Sequence, residues 1–494
     1  MSYRQAYCWT AIALWLLCGS GALADSARRY TVTDFGAVGD GKTLNTKIFQ
    51  TLIDRISADG GGTVVIPAGT FMTGSLFFKK DVSLYLESNS ILKGTANQAD
   101  YPQVQTRFEG VERPYAAALL NWDSVQNASL SGDGTIDGSG DLWMQRAAPG
   151  ARATANSTTV PAARGRGAPA TAPAGRGLLA AGRAAGASPL ASGRATTLPS
   201  ANPLARGATT AAATRPASAA SAASTGRPRL ICFSNSSNIR VSDVHLMRPA
   251  SWCLHILYCQ DVAIDGITIR TIVPIPSSDG IVVDSSSHVA ISHCAIDCND
   301  DDICLKSGKD TDGRRVNRPT EYVTITSCTI GSGEGIAIGS EVTGSVRHVL
   351  VERCRFDSTG QAVRVKSMSS RGGTIQDIVF RDCQLQDVRD AFEFDMNWLT
   401  GQEREAPAAA LTRVREVQLI NVSGTAKQLG KLVGIDTTQL QDIHWQDCTI
   451  AAQTPMTIQK AHEIDLSGLH ATVPSGNPFA VQNSDDILFP TTRP

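Results

Sequence analysis

The sequence is short of several features that would fix its class at once. Charge is nearly balanced: 45 Lys and Arg against 46 Asp and Glu leave a formal net charge of −1. That gives no bulk attraction to nucleic acid or to an anionic membrane. Beyond the N-terminal segment there is no apolar run of about 18 residues that would argue for a helical membrane span. No CxxC pair and no His/Cys spacing points to zinc. The repeating C-terminal part lacks apolar residues at i, i+3, i+4, which removes helical repeats. It also lacks the leucine and asparagine pattern of leucine-rich repeats.

What is present begins with an export signal. Arg4 supplies a weak positive charge, Trp9 to Cys18 is apolar but too short to span a bilayer, and Ala22-Leu23-Ala24 reads as a cleavage site. Residues 1–24 are therefore expected to be a signal peptide and the mature protein to be secreted or periplasmic. Of 12 cysteines, five share one context, as in Ser-His-Cys294-Ala-Ile, Thr-Ser-Cys328-Thr-Ile and Glu-Arg-Cys354-Arg-Phe. Cys383 and Cys448 follow suit. Cysteine is small and readily buried, so these read as stacked core positions. Disulfides, chiefly Cys253 with Cys259 or Cys294 with Cys298, are the alternative.

From about residue 230 one phrase keeps returning: Ile239-Arg-Val-Ser-Asp-Val-His-Leu, Val262-Ala-Ile-Asp-Gly-Ile-Thr-Ile, Val289-Ala-Ile-Ser-His-Cys-Ala-Ile and further copies. Each is two short alternating strands broken by a small or polar pair, rich in β-branched residues. The spacing of roughly 23 to 35 residues is that of a solenoid. The fold class expected is all-β, a single right-handed parallel β-helix. Such a stack needs its open end covered. Residues 46–57 form the clearest amphipathic helix, with Ile48, Phe49, Leu52, Ile53 and Ile56 on one face and Asn45 placed to N-cap it. It is expected to cap the N-terminal end. Residues 147–226 carry no acidic residue and almost no large apolar one. They cannot bury enough to offset the entropy of ordering and are expected to be a disordered insertion. Residues 25–146 and 227–494 are then two parts of one β-helix, expected to be monomeric.

The densest acidic feature is Asn299-Asp300-Asp301-Asp302, with Ser277-Ser278-Asp279-Gly280 about one rung earlier. Rungs of a β-helix stack about 5 Å apart, so Asp279, Asp300 and Asp301 should converge on one wall. Glycosidases need two carboxyl groups, one protonated and one ionised, and crowding of like charges supplies that split. A solvated acidic turn or a calcium site is the other reading of such a run.

Several segments together resemble glycoside hydrolase family 28, the polygalacturonase family: Asp34-Phe-Gly-Ala-Val-Gly-Asp-Gly-Lys-Thr, Gly132-Asp-Gly-Thr-Ile-Asp-Gly-Ser-Gly, Ser277-Ser278-Asp279, Asp300-Asp301 with Lys306-Ser307-Gly308, and Arg364-Val365-Lys366. The family often has Gly-His-Gly where this chain has Gly333-Glu334-Gly335. The resemblance implies a pectin-lyase-like β-helix that cleaves α-1,4-galacturonosyl linkages with inversion and without a cofactor or metal. Asp300 would be the general acid, and Asp279 and Asp301 would position and deprotonate the water. Arg364 and Lys366 would bind a galacturonate carboxylate, a pairing that suits arginine chemistry. Lys306, Glu334 and Trp398 join them as candidate substrate contacts, and pectic polysaccharide is the expected partner. Trp143 and Trp252 are further candidates for stacking on sugars, with Trp252 read rather as core. His255 and His293 are read as packed or rung-facing. The polar segment Lys309 to Pro319 is expected to close one end of the cleft and favour exo action. A rhamnogalacturonan hydrolase, a calcium-dependent pectate lyase and a non-catalytic carbohydrate-binding β-helix are the alternatives.

Overall fold

The computed structural model describes residues 28–146, 226–271, 275–398 and 405–491. The signal peptide expected at 1–24 and the insertion expected at 147–226, save Gly226, lie outside the described residues.

The recurring phrases become pairs of strands. Ser237–Ser242 is followed by His245–Met247, Gln260–Asp265 by Thr268–Arg270, and Ser287–Ser292 by Ala295–Asp297. The first member of each pair joins a 14-stranded parallel sheet running from Arg29–Thr31 to Asp485–Leu488. In register, Val262, Val289 and Val323 stack on Val349 and Ile378, and all five are fully buried. Each contributes about 1.5–3 kcal/mol relative to exposure. The rungs are thus held by continuous apolar columns.

A third strand in each rung is less visible in the sequence. Leu254–Leu257, Ile281–Asp284, Ile303–Lys306, Ile336–Ile338 and Gln361–Lys366 pair successively in parallel. This ladder fuses with its neighbour at the long strand Gln384–Asp395, which pairs with both Arg355–Asp357 and Gln361–Lys366. We call it the cleft ladder.

The thiols sit where the repeat places them. Cys294, Cys328, Cys354, Cys383 and Cys448 are buried and free, and each donates to the carbonyl two residues before it, at 3.1 to 3.5 Å. Cys253, Cys259 and Cys298 are also free, so neither disulfide alternative holds.

The helix runs Thr46–Ala58 and buries Phe49, Leu52, Ile53 and Ile56 against the first rungs; Ile48 is partly buried beside them. Asn45 stands at its N-cap position but makes no side-chain cap. Its amide instead accepts from Val38 N at 2.8 Å and donates to Val38 O and Thr43 O, tying down the preceding turn.

Two elements lie across the cleft ladder. Gln103–Phe108 and Val111–Ala116 form an antiparallel hairpin, and Asp310–Val316 is a short helix. The hairpin sets Phe108 on Trp252, Val282, Cys304 and Ala337 in a second apolar cluster.

Candidate active site

Rung stacking assembles the acidic residues. Gly280 N donates to Asp301 O at 3.0 Å, and Asp302 N donates to Gly335 O at 2.9 Å. The turns carrying Asp279, Asp301 and Glu334 therefore lie one above another. Because Ile281 pairs with Ile303, Asp301 stands across from Asp279. A carboxylate oxygen from each of Asp279 and Asp301 and the Cys304 sulfur lie within 4.8 Å of one another.

Asp301 is 1% exposed and heavily bonded. Its Oδ1 accepts from Arg364 Nη1 at 3.0 Å and Lys366 Nζ at 2.9 Å. Its Oδ2 accepts from Lys366 Nζ at 2.7 Å and the Cys304 thiol at 3.2 Å. Arg364 and Lys366 alternate along one strand and so share a face. Burial alone would raise the Asp301 pKa, but Lys366 and Arg364 outweigh it and hold it well below the usual carboxylate range. Asp279 moves the other way, raised by burial and by the charge of Asp300. Asp300 is raised by burial and by the charge of Asp301. The cluster thus holds one ionised carboxylate beside two inclined to keep a proton, the split that acid–base hydrolysis needs.

Lys306 Nζ lies 3.0 Å from Glu341 Oε2 and 3.8 Å from Asp279 Oδ2, with the Trp252 ring centroid at 5.3 Å. Trp398 offers its ring at 4.9 Å to Lys366 Nζ. Glu334 accepts from Arg389 Nη2 at 2.9 Å and stands 3.5 Å from Arg364 Nη1. In the place where the family often has a histidine, this chain has a carboxylate paired with Arg389. Arg364 also donates to Glu393 at 2.9 Å. The structure therefore brings together every predicted site residue: Asp279, Asp300, Asp301, Lys306, Glu334, Arg364, Lys366 and Trp398.

Other expectations need correcting. Trp143 is buried edge-on against Tyr101, with no face for a sugar. Trp252 is buried, as expected of a core residue, in the second apolar cluster under the hairpin. His255 is fully buried, as expected, 2.6 Å from Arg229, and burial lowers its pKa to about 4, so it is neutral. The Lys309 to Pro319 segment contains a helix rather than only loop. Its N-terminus meets the hairpin tip, where Lys309 N donates to Gly110 O at 3.0 Å. Gly110 has φ +77° and no room for a Cβ, which would fall 2.8 Å from Glu341 Cγ. Cys304, Glu341, Arg389, Glu393 and the hairpin went unrecognised in the sequence.

As a metal site, the Asp279, Asp301 and Cys304 group is a poor host for calcium, which takes six to eight oxygens. Two ammonium groups, Lys306 and Lys366, already stand against its carboxylates.

Residues 213–469 match the model of glycosyl hydrolases family 28. The chain belongs to that family. Residues 30–140 match a second model, rhamnogalacturonase A/epimerase, pectate lyase-like. Among curated relatives, a probable polygalacturonase of Vitis vinifera is 27% identical over 77% of this chain. An exo-poly-alpha-D-galacturonosidase of Dickeya chrysanthemi is 26% identical over 72%. The matched regions span 64% and 55% of those relatives' lengths. Among solved structures, an exopolygalacturonase from Thermotoga maritima aligns with a TM-score of 0.70 and 23% identity, covering 93% of this chain and 92% of its own. A family 28 exopolygalacturonase of Yersinia enterocolitica aligns at 0.69 and 21%, covering 94% and 78%. At those identities the likeness speaks for the parallel β-helix.

Proposed function

We propose that this family 28 chain is an exported hydrolase that cleaves α-1,4-galacturonosyl linkages in pectin, from chain ends and with inversion. The observation that carries this reading is the meeting of Arg364 and Lys366 with Asp301, beside Asp279 and Asp300. Two buried cations at a carboxylate cluster suit a polymer that carries a carboxylate on every sugar. Asp300 protonates the leaving oxygen, and a water held between Asp279 and Asp301 attacks the anomeric carbon from the opposite face. Arg364 and Lys366 orient the uronate, and Trp398 borders the same place. The export signal would deliver a monomer to where pectin is found.

Exo action would follow from closure of one end of the cleft by the hairpin and the Asp310–Val316 helix, which meet where Lys309 N donates to Gly110 O. Glu112 at the hairpin accepts from Tyr258 Oη at 2.6 Å and pairs with Arg315 of the helix, so this end is bolted rather than loosely covered. A polymer entering from the other end meets a wall. One of the curated relatives, the Dickeya chrysanthemi protein, is named an exo-acting enzyme, in keeping with this reading.

The test is incubation of the purified protein with polygalacturonate and with rhamnogalacturonan, each with and without chelator, with Asp300→Asn as control. Saturated products of one or two units from polygalacturonate, insensitive to chelator and absent in the variant, are expected. Unsaturated, chelator-sensitive products would replace hydrolysis by a calcium-dependent lyase. Cleavage of rhamnogalacturonan alone would move the substrate, and no cleavage of either would leave a binding protein.

A further inference from the structure

We propose that Asp301 is masked in the free protein by the same cations that bind the substrate, and that an arriving uronate carboxylate unmasks it as the base. The inference rests on the hydrolase reading above. An ionised carboxylate has about four lone-pair positions. On Asp301 four donor contacts fill them: Arg364 and Lys366 on Oδ1, Lys366 and the Cys304 thiol on Oδ2. No acceptor position is left to take a proton from water. Something must withdraw before Asp301 can act.

The donors differ in how readily they leave. Cys304 lies on a strand, shares its one thiol hydrogen between Asp301 Oδ2 and Gly339 O, each at 3.2 Å, and is covered by Phe108. Arg364 is already shared with Glu393 and Glu334. Lys366 has a flexible stem and a compact charge, and it borders the Trp398 ring. A uronate carboxylate entering beside Trp398 competes for Lys366 on equal terms with Asp301. When Lys366 turns to it, one position opens on each oxygen of Asp301, while Cys304 keeps the carboxylate oriented.

The chemistry then balances. The water oxygen bonds to the anomeric carbon as the glycosidic C–O bond breaks. The Asp300 proton goes to the leaving oxygen and a water proton goes to Asp301. Asp301 later loses that proton to solvent and Asp300 regains one, so one water is consumed. Substrate charge thereby becomes a condition for turnover as well as for binding.

The experiment compares a galacturonate trimer with its fully methyl-esterified form at saturating concentration, using the full-length protein and Lys366→Met. For the wild type, kcat on the ester is expected to fall by about 100-fold or more, beyond any change in KM. In Lys366→Met, which keeps the stem and removes the charge, the acid-to-ester kcat ratio is expected to shrink by about tenfold. Equal wild-type kcat on both, with the difference confined to KM, overturns the proposal without help from the variant. So does an equal loss of kcat on both substrates in Lys366→Met. Failure of the wild type to cleave the acid trimer would sink the hydrolase reading itself, and is told apart because no ratio can then be formed.

Discussion

Arg107, on the hairpin, places Nη1 2.9 Å from Oδ1 of Asp284, on the cleft ladder, with both side chains wholly sealed from solvent. It also donates to Ser285 Oγ at 2.8 Å. Burial would raise the Asp284 pKa, but Arg107 and then His255 keep it well below the ordinary carboxylate range. The pair fastens the lid over the cleft to the wall beneath it.

Removing one partner strands the other charge. Arg107→Met should cost about 3–5 kcal/mol, the usual penalty for breaking a buried ion pair. Thermal melting will show the loss. If the hairpin closes the cleft, the variant should also release longer oligomers from polygalacturonate. A destabilised variant that still makes only the shortest products would separate the hairpin from exo action.

Asp300→Asn should lose about 10²–10⁴-fold in kcat, the range for a general acid. The same variant should melt no lower than wild type at neutral pH, because an amide matches the shape and charge of the protonated acid and keeps an oxygen to accept from Asp301 N. Reducing-end release and thermal melting, measured together, check both halves. A loss of activity matched by a loss of fold would point to a structural role.

Asp302 offers a stability test away from the reaction. It is fully buried, accepts from Gly335 N at 3.0 Å and from the Cys298 thiol at 3.4 Å, and burial raises its pKa well above the usual carboxylate range. The folded chain therefore keeps a proton that the unfolded chain releases. This contribution to stability is complete below the unfolded pKa and is lost as pH rises through the folded one. Asp302→Asn should flatten the fall in denaturation midpoint as pH rises above about 4, the carboxyl pKa of the unfolded chain. Parallel curves for the two proteins would mean that Asp302 is ionised in the fold.

The free thiols make a simpler forecast. Adding reductant should leave the melting temperature unchanged, since the ten described cysteines are free. Alkylation at neutral pH should be slow until the chain unfolds, because burial raises the thiol pKa, to about 12 at Cys259. A drop in melting temperature on reduction would reveal a disulfide.

The stacked strands were legible because they alternate: Val262, Ile264, Val289 and Ile291 point inward between small or polar neighbours. The cleft ladder does not alternate, and Ile303–Lys306 is buried at all four positions. Ile303 and Leu305 face the core, while Cys304 and Lys306 face a covered cleft, so no polar face marks the strand. Asp279, Asp301, Arg364 and Lys366 could be placed because short motifs carry them. Glu341 and Glu393 could not, since each meets its lysine or arginine only through rung stacking between distant segments. Nothing in Gln103–Phe108 or Val111–Ala116 announces a hairpin; its partners Asp284, Trp252 and Asp312 lie far along the chain.

Leu120–Asp123 pairs residue for residue with Ile231–Ser234, Leu120 against Ile231 through Asp123 against Ser234. Two consecutive turns of the solenoid thus close on each other across the whole segment that separates them in sequence. The seam is a natural splice point. A change of length between residues 147 and 225 should leave that register unchanged, which thermal melting of a shortened chain would check. Protein engineers would have a ready port there for a grafted domain, held by a wall already complete on both sides.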